Sequence, residues 1–391
     1  MKLAIVGVGQ AGGKILDRLL EYDVTRNTDV VKHATAVNTA KTDLLGLEFV
    51  PEENRLLVGQ SIVRGHGTGT DPETGARCVR EDMGEIQNVI GGATTSEIDA
   101  FLVIAGLGGG TGSGGGPLIA ERLRELYVEP VYGLGIFPAS DEGGIYNRNA
   151  ANSLQRFVTR TDSLLAFDNE AFKTGGESLT AGYDEINAEI TGRFGTLFSA
   201  GELDSISGTV AESVVDSSEI INTLGEGGIT SLGYASETVE SDSDKGLLSR
   251  FRGSKADGIA DAGDKTNRIM ALVRRATLGT LTLPANIETT QRALILVSGP
   301  PDEMSRKGID KARHWLEETT NCLEVRGGDY PLPNEDRVAV LVILSGLTEI
   351  PRVEEMQEMA LDTEAKAAVR DETSTDELRD LIEYGDPDED L

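Results

Sequence analysis

Phe101-Leu102-Val103-Ile104-Ala105 runs directly into Gly106-Leu107-Gly108-Gly109-Gly110-Thr111-Gly112-Ser113-Gly114-Gly115-Gly116. The first five residues form a continuous apolar run, the pattern of a strand buried on both faces. Eight of the next eleven are glycine. Glycine loses more conformational freedom on ordering than any other residue, so a run this bare of side chains is a costly backbone to fix. A nest of N–H donors closing around a polyphosphate would offset that cost. The alternative is a flexible linker, but a linker would not sit between a buried-type strand and a helix expected to begin near Pro117.

A second glycine cluster, Gly7-Val8-Gly9-Gln10-Ala11-Gly12-Gly13, follows the opening strand Leu3–Val8 and stands at a helix start, where backbone N–H groups can approach a phosphate. Gly7, Gly9 and Gly12 satisfy the dinucleotide fingerprint, so a site for NAD has to be weighed. That reading wants an acid at the end of the second strand to hold a ribose, and the position is Asn38. A Walker loop fails as well, since Ile15 follows Lys14 where Ser or Thr is needed. Further apolar runs at Ala34–Val37, Leu56–Val58, Val131–Phe137 and Leu164–Phe167 alternate with amphipathic stretches, which implies a parallel sheet wrapped by helices. Residues 181–198 read as one long helix, with Ile186, Ile190, Phe194, Leu197 and Phe198 on a common face. Strands at Arg292–Val297 and Arg337–Leu344 and a helix near Arg306–Glu318 make a smaller second domain. The expected fold class is therefore α/β: a Rossmann-like parallel sheet (1–180), a central helix (181–198) and a second α/β domain (199–350). A polar loop is expected over 236–264 and an acidic tail over 351–391.

The 391 residues carry 66 acids against 36 bases, a net charge of −30. A polyanion of that strength is repelled by nucleic acid and by anionic membranes, so neither is an expected partner. Arginine outnumbers lysine 25 to 11, and an acidic, lysine-poor surface suits a high-salt cytosol, where screening removes self-repulsion. Cys78 and Cys322 lie far apart without metal-ligand spacing and are expected as free thiols, with no metal site of the protein's own. No apolar stretch is long enough to span a bilayer and no signal peptide is evident, so the expected location is cytoplasmic.

Gly108 to Gly114 resembles the signature loop of the tubulin/FtsZ superfamily, and further motifs of that family follow in order. Gly9-Gln10-Ala11-Gly12 is similar to the tubulin first loop, and Gly65-His66-Gly67-Thr68-Gly69 to the FtsZ loop that senses the γ-phosphate. Leu165-Ala166-Phe167-Asp168-Asn169-Glu170-Ala171 resembles the stretch that supplies an asparagine to guanine. Tyr183 and Asn187 match the stacking tyrosine and second base-contacting asparagine. Their spacing of four puts both on one helix face, so one can stack while the other bonds the base edge. Glu142 matches the ribose acid.

The resemblance implies a GTP or GDP site with Mg²⁺. It would be built from Gly9, Gln10, Ala11, Gly12, Gly13, Lys14, Gly67, Thr68, Gly69, Gly108, Gly109, Gly110, Thr111, Gly112, Ser113, Glu142, Asn169, Tyr183 and Asn187. Two departures stand out: Lys14 replaces an Asn or Gln near the base, and Tyr146 replaces an FtsZ arginine. Val215-Asp216-Ser217-Ser218-Glu219-Ile220 is similar to the FtsZ loop whose two acids enter the next subunit's nucleotide pocket. Asp216 and Glu219 are thereby implied as catalytic acids acting between subunits, although Ser217 and Ser218 could equally serve as helix caps.

Tubulin-like base contacts, an FtsZ-like second domain and an acidic, lysine-poor composition together are most similar to the archaeal CetZ group. The function this implies is a GTP-hydrolysing cytoskeletal protein that polymerises head to tail with itself, serving cell shape or motility. A division-ring protein of FtsZ type, a non-polymerising GTP-binding module and an NAD-dependent dehydrogenase are the alternatives. Leu378, Leu381 and Ile382 could present a small docking face to a protein partner at the tail.

Overall fold

The computed structural model describes residues 1–93, 95–173, 179–200, 215–239, 255–363 and 365–366. Its strands are β1 (Leu3–Val8), β2 (Val31–Asn38), β3 (Arg55–Leu57), β4 (Ala100–Gly106), β5 (Val131–Phe137), β6 (Ser163–Asp168), β7 (Ile229–Thr238), β8 (Arg292–Gly299), β9 (Glu324–Pro331) and β10 (Arg337–Leu347). They form one sheet in the order β3-β2-β1-β4-β5-β6-β7-β10-β8-β9. The first seven are mutually parallel, β10 runs antiparallel between β7 and β8, and β8 pairs β9 in parallel.

Helices cover both faces: α1 (Gly9–Arg26), α2 (Lys41–Leu45), α3 (Gln60–Val63), α4 (Pro72–Glu81), α5 (Met83–Ile90), α6 (Thr111–Leu126), α7 (Gly144–Arg160), α8 (Asn169–Phe172), α9 (Leu179–Ala200), α10 (Ser217–Leu224), α11 (Lys255–Leu278) and α12 (Arg306–Thr320). Alternate residues of each strand feed two separate cores. Ala4, Val6 and Val8 of β1 join one and Leu3 and Ile5 the other, which is why these strands read as continuous apolar runs. The expected face of the central helix, Ile186 to Phe198, is buried in the second core.

The structure departs from the sequence reading at several places. The helix expected from Pro117 begins at Thr111, so Gly112 and Gly114–Gly116 are helical. Glycine is a poor helix former, and these glycines are held there by close packing. A Cβ at Gly114 would run into the Pro72 carbonyl of α4, and one at Gly115 would lie 2.6 Å from Val79 Cγ2. Pro117, inside the helix, cannot donate to the carbonyl of Ser113, and the Ser153 hydroxyl does so instead at 2.9 Å.

Two strands, β7 and β9, were not anticipated. The loop expected over 236–264 is shorter at both ends, because β7 continues to Thr238 and α11 begins at Lys255; residues 240–254 lie outside the described residues. The tail expected from 351 starts instead with a helix over 351–363 whose Arg352 and Met356 are buried, while 367–391 lie outside the described residues. Both cysteines are free and buried. No described helix is long and apolar enough to cross a membrane.

Candidate functional site

The two glycine clusters meet. β1 and β4 are adjacent and parallel, so α1 and α6 start side by side, and a Cβ at Gly9 would lie 2.9 Å from the Gly112 nitrogen. Gly9 itself has φ 73°, a conformation glycine adopts without strain. Neither helix has a side-chain cap or an acid in its first turn, so among the described residues no side chain caps the first-turn N–H groups of these two adjacent helix starts. Two convergent, uncapped helix N-termini combine donors with two dipoles, an arrangement whose chemistry suits an anion.

Around this centre the neighbouring loops are fastened. Thr68 packs on Gly110, and Gly67 N donates to Thr39 O at 3.2 Å. The buried Thr111 and Thr39 hydroxyls share a 2.7 Å hydrogen bond. Asn149 of α7, buried, donates through Nδ2 to Thr70 O at 2.8 Å and Gly108 O at 3.1 Å, tying the 67–71 loop to the glycine loop. Ser113 turns its hydroxyl back onto the Gly109 carbonyl. Gln10 and Lys14 are exposed on one face of α1, one turn before Arg18, which pairs with Asp184 of α9 at 3.8 Å.

The base and ribose candidates lie at the ends of β5 and β6. Glu142 accepts from Ala139 N at 2.8 Å, which fixes the turn that carries it. The Tyr183 hydroxyl is within hydrogen-bond reach of Glu142; burial, then the charge of Glu142, push its phenol up to about 12. Tyr146 joins them beside Gly108. Glu170 accepts from both Ser140 N and Ser140 Oγ, at 2.8 and 2.9 Å, which ties the turn of Glu142 to the segment of Asn169. Asn169 is buried, and its Oδ1 has no hydrogen-bond partner. A buried acceptor left unmet costs about 1–3 kcal/mol, and it is the complement of the N–H edge of a guanine. Asn187 lies one turn beyond Tyr183 on α9, half-buried.

Asp216 and Glu219 are not brought to this centre. Asp216 caps α10, accepting from Glu219 N at 3.0 Å and from Ser218 Oγ at 2.5 Å. The Ser218 hydrogen bond, ahead of the others, holds the Asp216 carboxyl below its ordinary value, while burial and the adjacent Asp216 raise that of Glu219. Arg326 of β9 acts electrostatically on both acids and Arg313 of α12 on Glu219. α10 lies over the β10–β8 part of the sheet. Five strand spacings from β4 to β8 place these acids roughly 24 Å across the sheet from the glycine loop.

Sequence reasoning missed Asn149 and Arg352. The buried Arg352 contacts Asp168 Oδ1 at 3.4 Å, Pro138 O at 2.9 Å and Asn147 Oδ1 at 3.4 Å, knitting together the ends of β5 and β6 and the start of α7. The available signal was three polar residues, Asn147, Asn149 and Ser153, at inward positions of an amphipathic helix.

Comparison with known proteins gives two adjoining family matches. The tubulin/FtsZ family GTPase domain matches residues 2–175 and the tubulin-like CetZ C-terminal domain residues 176–362. The tubulin-like protein CetZ1 of Haloferax volcanii is 55% identical over 367 residues, covering 93% of this chain and 93% of the relative. Among solved structures, the GDP-bound monomer of CetZ1 from that organism superposes with a TM-score of 0.82 at 51% identity, covering 93% of this chain and 100% of that one. The GTPγS-bound protofilament of its CetZ2 gives 0.82 at 41%, covering 94% and 100%.

Proposed function

The chain belongs to the CetZ group of the tubulin/FtsZ superfamily, and from that membership we propose that it binds GTP, polymerises head to tail and hydrolyses the nucleotide at the junction between subunits. The observation that carries the reading is the convergence of two uncapped helix N-termini with the unmet Asn169 Oδ1 near the ends of the same parallel strands. One end of the site suits a polyphosphate and the other a base with N–H donors. The phosphates would lie on the N–H groups of Gly9–Gly13 and Gly108–Ser113, with Thr68 and its flanking glycines closing over them. Lys14 would face the phosphate or base from α1, Glu142 would take the ribose, Tyr183 would stack on the base, and Asn169 and Asn187 would bond its edge.

No group of three or more His, Cys, Asp or Glu among the described residues could hold a metal ion. Mg²⁺ would therefore be held chiefly by phosphate oxygens and water, where it neutralises charge on the triphosphate. Asp216 and Glu219, too far to serve their own chain's nucleotide, would orient water in the pocket of the next subunit, and the GTPγS-bound protofilament of a relative supports such end-to-end assembly. The role would be in cell shape or motility, in the cytoplasm.

Nucleotide released from purified protein should be GDP or GTP, and sedimentation at high salt should require GTP. The GTPase rate per subunit should rise steeply with protein concentration. Released NAD, or a rate per subunit independent of concentration below the assembly threshold, would sink the reading. A fluorescent fusion forming midcell rings would move the role to division.

A further inference from the structure

A groove of about 430 Å³ opens between α4, α6 and α7. Arg77 and Arg80 of α4 and Arg156 and Arg160 of α7 line it, over a floor that includes Pro117 and Leu118. In a chain with 66 acids and 36 bases this is a local inversion of charge. Glu73 also lines the groove, and Arg160 is paired with Glu121 at 3.1 Å. Arg77, Arg80 and Arg156 are exposed and make no ion pair among the described residues. Three guanidiniums without a contact ion pair, Arg77 feeling only the nearby charge of Asp71, are available to a carboxylate-rich ligand, which arginine grips through paired N–H donors.

The chain's own course supplies a candidate. The helix that opens at 351 is still helical at 365–366, the last described residues, and passes the start of α7, where Thr363 Oγ1 would lie 2.5 Å from a Cβ on Gly144. Arg156 and Arg160 are 12 and 16 residues further along that helix, or about 18–24 Å at 1.5 Å per residue. Beyond residue 370, outside the described residues, come Asp371, Glu372, Asp376, Glu377, Asp380 and Glu383. Leu378, Leu381 and Ile382 recur among them at helical spacing. A chain can span at most about 3.3–3.6 Å per residue, so the ten or so residues from 366 into this segment are long enough to cover about 18–24 Å.

We infer that the acidic segment 371–383 docks in this groove of its own chain. Its carboxylates meet the free arginines, and its three apolar side chains cover the Pro117–Leu118 floor. The occupied groove adjoins the α4–α6 contact at Gly114, so the segment would lie directly behind the glycine loop.

Arg80→Lys keeps the charge and adds an amine that a zero-length carbodiimide can join to a carboxylate. In the full-length chain at about 1 M KCl, where screening to about 3 Å leaves only contacting pairs, cross-links from position 80 to residues 371–383 are expected within single chains. Adding Arg77→Glu and Arg156→Glu should lower their yield about fivefold, the loss expected when two ion pairs become like-charge contacts. Glu377→Arg with Asp380→Arg should restore it, which also shows that the charge-reversed chain is folded. No link to 371–383 while position 80 still couples to Glu73 or Glu81 would overturn the inference. So would links found only between ¹⁴N- and ¹⁵N-labelled chains, which would place the segment on a neighbouring subunit. Retention of the charge-reversed yield after the tail substitutions would likewise overturn the pairing.

Discussion

Arg352→Met should destabilise the fold by an amount that depends on pH. Asp168 is 2% exposed, and burial raises its carboxyl from 3.8 to about 6 while Arg352, 3.4 Å away, draws it back without cancelling the shift. An acid whose folded value is raised favours the folded state most below its unfolded value, and that contribution is lost as pH rises from near 4 through about 6. Removing Arg352 raises the folded value further, so the variant keeps a neutral Asp168 to higher pH and loses stability over a wider range. Below pH 5 both forms hold the proton and ionisation adds almost nothing to the difference. Above pH 6 the difference grows by about 1.4 kcal/mol per pH unit, reaching about 2 kcal/mol at pH 7.5. The lost hydrogen bonds to Pro138 and Asn147 add a pH-independent part of about 2 kcal/mol. Urea unfolding of wild type and variant at pH 5.0, 6.0, 7.0 and 7.5 measures the difference directly. In an Asp168→Asn background the pH-dependent part should vanish. A difference that stays flat from pH 5 to 7.5 would refute the reasoning, because it would mean that Asp168 does not carry the buried charge.

Asn169→Ala should weaken GTP by about 1–3 kcal/mol, a matched edge bond lost, and ATP far less; equal affinity of the wild type for both nucleotides, measured by titration calorimetry, would remove Asn169 from the base. Glu219→Ala should bind GTP normally and hydrolyse it slower by several powers of ten, so its filaments should persist in sedimentation, and mixing it with a Thr111 variant defective in GTP binding should restore some turnover. Gly109→Ala and Gly114→Ala should separate binding from folding. Nothing lies within 4 Å of a Cβ at Gly109, so that variant should keep its thermal midpoint and lose nucleotide, whereas at Gly114 the Pro72 backbone stands in the way and about 1–3 kcal/mol of stability should go. Shortening the chain within 240–254 should alter filament bundling seen by microscopy while leaving GTP affinity unchanged; loss of folding would show that these residues are not dispensable.

Much of this molecule is written locally. β1 and β5 have the bounds their apolar runs imply, and the buried face of α9 is legible because period 3.6 is a property of neighbouring residues. The phosphate end of the candidate site is equally local, since each glycine cluster directly follows its strand. Other elements carry no such signal. β9 contains Gly327-Gly328 and Asp329, and only its place beside β8 makes it a strand. Gly112 to Gly116 look like loop on propensity and are helix because β1, β4, α4 and α7 press against them in turn. Nor does Asn169 reveal from sequence that its Oδ1 is buried and unmet, for that depends on what surrounds it. Arg352 and Asp168 are 184 residues apart, and nothing in either neighbourhood announces the other. Propensity and periodicity act over a few residues and can be read in order along the chain. Burial, the pairing of charges and the separation of Asp216 from the glycine loops arise from contacts between distant segments, and only the folded sheet decides them.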